Sequence, residues 1–456
     1  MLHLSSFLVR LRQGALAATC LMGLPGLASA QVAFTAGNYV VLRVGDGAAT
    51  LGSAATAVSL LEYTSNGTLV QTIAVPATGT SAFTIGGSSG TEGFLTRSAD
   101  GRYLLVPGYN AAAGTAAVAG TTSAATNRVV GRVASGGTFD TSTRLTDAFS
   151  GGNIRSAASA NGSGIYAVGN SGGVVYVPFG NTGASTSVST GSPTNDRMVG
   201  VFGGNLYVSS GSSPTYGVAQ VGTGLPTASG QAQTLLPGFP TASTNSASSY
   251  AFLFTDQSAT VPGLDVLYVA DDGSATATAG IQKWSLVNNT WILNGTIGTA
   301  AGATAIAVRG LAGGVSGTTA TLLATSATSL YAVTDQAGYN AAPSTATLPA
   351  AIATAGTNTA FRGVAPAPLA TALPTRAEAS QQELALYPTP TQDVLTIRLP
   401  DGPAAGHQAE VRDLLGRVVQ AGPLPATGQL RLSGLAPGTY LLTLDGKLTR
   451  RISKVE

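Results

Sequence analysis

The chain has 456 residues with 22 Lys and Arg against 20 Asp and Glu, a formal net charge of +2. Near-neutral charge and scattered basic residues exclude the footprint of a nucleic-acid or anionic-membrane binder. Its single cysteine, Cys20, excludes an intrachain disulfide or a paired-thiolate metal site, and an apolar content of 44% excludes a chain too polar to bury a core.

Residues 1–30 carry Arg10 and Arg12, an apolar run from Gly14 to Leu27, then Ala28-Ser29-Ala30, the small-x-small form of a signal-peptidase site. This predicts a secretory signal peptide, with the mature chain beginning at Gln31 and Cys20 removed. A lipoprotein would need Cys20 in a lipobox, but Thr19 precedes it and the apolar run continues beyond it. No later stretch is long and apolar enough to span a bilayer, so the chain is not expected to be transmembrane.

From residue 31 to 365 the signals are short β-type runs broken by Gly, Asn, Asp and Ser turns, with no sustained helical period. Val58 to Tyr63 and Leu69 to Val75 flank Asn66-Gly67, and Ile281 to Leu286 and Trp291 to Ile297 flank Asn288-Asn289, each predicting a hairpin. A weak repeat opens on an Arg-containing run and continues after a turn into a run with Tyr. Its arginines are Arg97, Arg155, Arg197, Arg309 and Arg362, and the unit that opens at Tyr250 lacks one. Units of about 40–60 residues suit four-stranded propeller blades. Ser98-Ala99-Asp100-Gly101-Arg102-Tyr103 also resembles a turn common in propeller families.

Phe361 to Ala365 reads as the first strand of a unit with no continuation before Pro366-Ala367-Pro368. The N-terminal runs from Tyr39, Val58 and Leu69 would complete it, closing a ring and removing exposed sheet edges. The expected fold is therefore all-β, a six-bladed propeller with seven blades as the alternative. Residues 366–382, with Pro366, Pro368 and Pro374, read as a linker.

Residues 383–456 contain Leu386-Tyr387-Pro388-Thr389-Pro390, the strand Val394 to Ile397, the run Asp413-Leu414-Leu415-Gly416-Arg417-Val418-Val419, then Leu435 to Leu442 through Gly438 and Tyr440, and a basic end with Lys447, Arg450, Arg451 and Lys454. This stretch resembles the type A C-terminal sorting domain of the type IX (Por) secretion system of Bacteroidota, with Thr389 where Asn is usual. Leu386, Tyr387, Pro388, Pro390, Gly416, Gly438, Tyr440 and Lys454 carry the motif. Its alternating short strands predict a small β-sandwich, with Gly416 in a tight turn and Tyr440 a buried ring. The resemblance implies recognition by the outer-membrane translocon, removal of the tail by its sortase, and attachment of the cargo to surface lipopolysaccharide or its release. The expected location is secreted or cell-surface.

Imidazole chemistry is excluded from the cargo, because the two histidines are His3 in the signal and His407 in the tail. Gly86-Gly87-Ser88-Ser89-Gly90 and Gly169-Asn170-Ser171-Gly172-Gly173 match a nucleophile elbow formally, yet a Gly- and Ser-rich chain produces such matches by chance. Asp100, Asp147, Asp196, Asp256, Asp265, Asp271, Asp272 and Asp335 are carboxylates that convergence across blades would turn into a glycosidase pair or a calcium site. Asp271-Asp272-Gly273 is first a turn signal. The recurrent arginines would ring a central channel and bind anions, or pair with blade acids and carbonyls. Trp284 and Trp291 would stack on sugars or pack a blade face. No catalytic residue, metal or cofactor is assigned. The expected function is a non-enzymatic binding or structural module with an unnamed extracellular ligand; the alternative is a carbohydrate-active or lactone-cleaving propeller using carboxylates with calcium.

Overall fold

The computed structural model describes residues 32–242, 248–273, 279–299, 303–370, 385–399, 406–413, 416–445 and 448–456. The expected signal segment with His3 and Cys20, the linker beyond Ala370, and Leu414, Leu415 and Lys447 lie outside them. The chain divides into two compact units, residues 1–370 and 371–456. Strands account for nearly every regular element, and the one helix among the described residues is a single 3-10 turn at Val118–Gly120.

In the first unit, six four-stranded antiparallel sheets succeed one another. The first combines Ala360–Pro366 with Tyr39–Val44, Val58–Tyr63 and Leu69–Ala74. The second to sixth open on Thr96–Arg97, Ile154–Ala158, Asp196–Phe202, Ser249–Thr255 and Gly310–Ser316, and each adds three strands in sequence order. Each opening strand lies against the opening strand of the next sheet, and the sixth lies against the first, so their order closes on itself. This is a propeller-like arrangement.

The closure rests on pairing between distant parts of the chain. Val40 pairs with Ala365 and Val41 with Val364, antiparallel, so the end of the unit is sealed by its beginning. The opening strand of the fifth sheet is buried on both faces along Tyr250-Ala251-Phe252-Leu253-Phe254, with only Leu253 partly exposed, whereas that of the sixth is exposed from Gly314 to Ser316. The outermost strand Leu69–Ala74 is largely exposed, and its neighbour is fixed by the Asn66-Gly67 turn, where Gly67 takes φ +89°. Asn288 and Asn289 take φ +49° and +62° in the second predicted hairpin, the left-handed pair that a type I′ turn requires.

Opening strands approach one another closely enough to exchange backbone hydrogen bonds. Phe94 N donates to Arg155 O at 3.1 Å, Ala251 N to Arg309 O at 3.1 Å and Gly363 N to Gly93 O at 3.0 Å. Gly363 is needed for this approach, since a Cβ there would sit 2.6 Å from Leu95 N. Trp284 and Trp291 are both buried: Trp284 stacks on Phe239 at 4.1 Å and Trp291 meets Phe254 edge-on at 5.6 Å. They pack the fifth sheet and offer no sugar platform.

The second unit contains a three-stranded sheet of Ala385–Tyr387, Val394–Arg398 and Gln429–Arg431. Beside it is a four-stranded sheet ordered Val418–Pro423, Gln408–Arg412, Gly438–Leu444, Leu448–Lys454. Leu395 and Ile397 from the first sheet and Val411, Leu442 and Ile452 from the second share one core. Gly416 makes the expected turn at φ +85°, its N–H donating to Asp413 O at 3.0 Å. Tyr440 departs from expectation: its ring is half-buried and its hydroxyl donates to Ala436 O at 2.8 Å, because the phenol reaches back over the Leu435-Ala436-Pro437 turn. Leu386 packs against the shared core, Tyr387 is exposed, and Lys454 pairs across the sheet with Gly438.

Candidate functional site

Four of the five recurrent arginines gather where the opening strands begin. Arg309 Nε donates to Asp272 Oδ2 at 2.7 Å and its Nη1 to Gly90 O at 3.1 Å. Arg197 stands 3.7 Å from the other Asp272 oxygen and also donates to Ser248 Oγ. Arg362 donates to Gly87 O at 2.7 Å and to Phe361 O at 3.1 Å. Arg155 donates to Asn195 Oδ1 at 2.5 Å and Asp196 O at 3.1 Å. Tyr250, opening the unit that lacks an arginine, places its ring 4.3 Å from the Arg197 guanidinium carbon and 5.4 Å from that of Arg309. A cation–π contact thus bridges the gap.

Arg97 does not share this level. Phe94, three residues earlier, is the residue that bridges to Ser156 beside Arg155, so Arg97 lies further along its strand and donates instead to Ala367 O at 3.2 Å. The acidic group at this level, just ahead of the second sheet, is Glu92. It is fully buried, and accepts from Gly86 N at 2.7 Å, Tyr109 Oη at 3.1 Å and Asn153 Nδ2. Burial pushes its pKa up despite these donors. Burial likewise lowers Arg155, and brings Arg362 down to about 10. Glu92 and Tyr250 carry no motif, and only the missing arginine at Tyr250 marked the place in sequence.

At this end every one of the four guanidiniums is engaged by protein acceptors, although Arg155 Nε and Arg362 Nε are buried without a partner among the described residues. The guanidiniums bind carbonyls of the Gly87–Gly90 loop, Asp272, Asn195 and Ser248, as a repeated structural lock would. The loop is one of the formal nucleophile-elbow matches, and neither match leads into a helix among the described residues. The carboxylates are dispersed: Asp100 pairs with Arg102, Asp147 accepts from Ser185 N, Asp265 from Gln257 N, Asp335 pairs with Lys283, and Asp256 is exposed. Asp271 is fully buried, accepting from Ser248 N at 2.9 Å, Gly273 N at 2.8 Å and Gln282 Nε2 at 3.1 Å. Among the described residues no three His, Cys, Asp or Glu side chains group to hold a metal ion.

Toward the other ends of the same strands lies a cavity of about 320 Å³, bounded by residues of all six sheets. Leu95, Met198, Phe202, Leu253, Leu311 and Val364 contribute to its walls, and Gly200 and Gly313 leave backbone bare. Its one charged lining residue is Arg97, beside the hydroxyls of Thr96 and Ser98. Arg97 has no carboxylate partner among the described residues, and partial burial lowers the pKa of its guanidinium; the ionisable group beside it is the Tyr39 phenol. In the second unit His407 Nδ1 lies 2.6 Å from Asp445 Oδ2, within the tail.

Residues 385–455 match the family of secretion-system C-terminal sorting domains, the Por secretion tail. No curated protein matches the chain. Solved structures with a similar course include the extracellular domain of a one-component system from B. thetaiotaomicron, at 12% identity and TM-score 0.37, covering 92% of this chain and 58% of that one. Another is the β-propeller domain of Cps50 (Swd1) from Myceliophteria thermophila, at 11% identity and TM-score 0.31, covering 54% of this chain and 83% of that one. A gluconolactonase from Xanthomonas campestris is similar at 12% identity and TM-score 0.37, covering 73% of this chain and 90% of that one. Likenesses of this size identify no activity for this chain. No helix among the described residues is long and apolar enough to cross a membrane. The chain carries a type IX secretion C-terminal sorting domain at residues 385–455, which engages that secretion machinery and makes the protein a secreted or cell-surface one.

Proposed function

We propose that residues 31–365 form a six-bladed β-propeller cargo, and that residues 383–456 form a small β-sandwich that delivers it. The closed order of six opening strands supports the blade count over seven. The core shared by the two tail sheets supports the sandwich. In this reading the signal peptide at 1–30 brings the chain to the periplasm, the stretch read as a linker at 366–382, whose residues 366–370 belong to the first unit, separates cargo from tail beyond Ala370, and the translocon carries the cargo across the outer membrane. The sortase then removes the tail and joins the cargo to lipopolysaccharide or releases it.

At the cell surface the cargo acts as a non-enzymatic binding module. One observation carries this reading: the cavity joins apolar side chains, bare backbone and hydroxyls from the opening strands to a single guanidinium, with no carboxylate or imidazole in its lining. Concave apolar sites with a few polar groups are the usual form of a ligand pocket. Cleavage of a glycoside or lactone by carboxylates needs acids that face the substrate, whereas Asp196 and Asp271 are fully buried and Asp272 is engaged by two arginines. Purified cargo incubated with a panel of lactones and oligosaccharides is expected to leave them intact, followed by chromatography of the products. Turnover abolished by Asp271→Asn or Asp272→Asn would establish the second reading, a carboxylate-using hydrolytic propeller, and overturn this one.

A further inference from the structure

We infer that the cavity is a binding site for a small monocarboxylate with an apolar body, held by its carboxylate on Arg97. This rests on the reading of the cargo as a binding module and names the ligand class. Three observations carry it. The volume, about 320 Å³, falls within the range of small-molecule pockets. Leu95, Met198, Phe202, Leu253 and Leu311 give the walls an apolar part, beside bare backbone and the Thr96 and Ser98 hydroxyls, against which a hydrocarbon or aryl body gains by leaving water. The single charge is a guanidinium whose one hydrogen bond among the described residues is to the Ala367 carbonyl, at 3.2 Å from Nη1.

Arginine presents five N–H donors in a planar fork. Nη1 is used by Ala367 O, which leaves donors for a carboxylate. The arginines at the opposite end of the strands differ in having two or more acceptors each that the protein supplies, and none of them lines the cavity. There Arg197 and Arg309 share the one carboxylate of Asp272. Arg97 has no such counter-charge, although partial burial makes its unneutralised charge costly. A monoanion supplies the missing charge, and its apolar remainder fills the space enclosed by Leu95, Met198, Phe202 and Leu311. A cation would meet like charge at Arg97, and a polyanion would place its further charges against apolar walls.

The test uses octanoate, with octanol as neutral isostere and octylammonium as cationic one, titrated calorimetrically into the full chain after signal removal. Octanoate is expected to bind saturably at one site and at least about tenfold more tightly than octanol, as for a hydrogen bond to a charged group; octylammonium is expected not to bind. Arg97→Gln is expected to remove the preference for octanoate over octanol, Arg97→Lys to retain much of it, and Leu253→Trp, which fills the cavity, to abolish binding of both. Far-ultraviolet dichroism and melting curves establish that each variant is folded. Equal affinity for octanoate and octanol, octanoate affinity unchanged in Arg97→Gln or Leu253→Trp, or absence of saturable octanoate binding would each overturn the assignment. Absence of octanoate binding removes this ligand class without touching the turnover assay. Turnover overturns the binding-module reading whatever octanoate does.

Discussion

Arg309 and Asp272 meet at 2.7 Å, Nε to Oδ2, and the same guanidinium reaches the Gly90 carbonyl at 3.1 Å. The pair therefore ties the fifth and sixth sheets to the Gly87–Gly90 loop. Both side chains are mostly buried, so removing one partner strands the other in a poorly hydrated place. Arg309→Met is expected to lower the unfolding free energy by about 2 kcal/mol, measured by urea denaturation. Asp272→Asn is expected to cost as much or more, since Arg197 loses its counter-charge as well. Equal stability of both variants and wild type would show the network to be idle.

Much of the fold is legible in the sequence, for reasons that particular residues make plain. Apolar runs such as Val40 to Val44 mark strands buried on both faces, and Asn66-Gly67 and Asn288-Asn289 mark turns because few residues accept positive φ. The unpartnered run at Phe361 pointed to closure by Tyr39 to Val44, since an open sheet edge is a liability. The site was far less legible. Arg97 reads as equivalent to Arg155 because each stands in the run that opens a unit, yet their levels differ by the spacing that only strand-to-strand pairing sets. Arg128 is fully buried, its Nη2 donating to Ala119 O, Thr121 O and Gly152 O, and nothing near it in sequence distinguishes it from an exposed arginine. The cavity depends on which side chains of six separated strands meet, a property of the closed arrangement.

A buried ion pair sets a second expectation. Lys283 Nζ lies 2.7 Å from Asp335 Oδ2, both side chains fully buried, and Tyr268 Oη donates to the same oxygen at 2.7 Å. Lys283→Met is expected to cost about 3–5 kcal/mol by leaving a lone buried carboxylate. The double variant Lys283→Met with Asp335→Leu is expected to recover most of that loss, as buried pairs contribute little net stability over apolar replacements. A double variant no more stable than the single one, by thermal or urea unfolding, would show that Asp335's other bonds, from Ser344 N and Ala337 N, matter more.

Asp335 also has a defined pH signature. Burial alone would raise its pKa, but the Lys283, Ser344, Tyr268 and Ala337 donors outweigh it and hold the carboxyl below its ordinary value. A folded pKa below the unfolded one gives stability that is present above the ordinary carboxyl range, about 3.9, and is lost as pH falls through the folded value. Asp196 behaves oppositely. Burial pushes it up to about 7 against its bond from Gln233, and one of its oxygens has no partner among the described residues. Its contribution is present below the ordinary carboxyl range and lost as pH rises toward 7. Asp196→Asn is expected to flatten the decline in melting temperature between about pH 4 and 7, and to be more stable than wild type at pH 8 by on the order of 2 kcal/mol. An unchanged slope in the variant would remove Asp196 from the account.

The sorting tail yields a prediction about delivery. Ile452 is 1% exposed and packs with Leu442 in the core that both tail sheets share, on the strand Leu448–Lys454 paired to Gly438–Leu444. A carboxylate at that position has no partner in an apolar core, so Ile452→Asp is expected to unfold the tail. In a host with a type IX system, surface labelling of the cargo should then fall to background while the full-length chain accumulates in the periplasm. Val455 is exposed at 40%, one residue past that strand, so Val455→Ser leaves the core untouched and is expected to be exported normally. Wild-type export of Ile452→Asp would mean that the machinery reads the tail as an unfolded segment. Loss of export in Val455→Ser alone would instead place recognition on the exposed C-terminal residues.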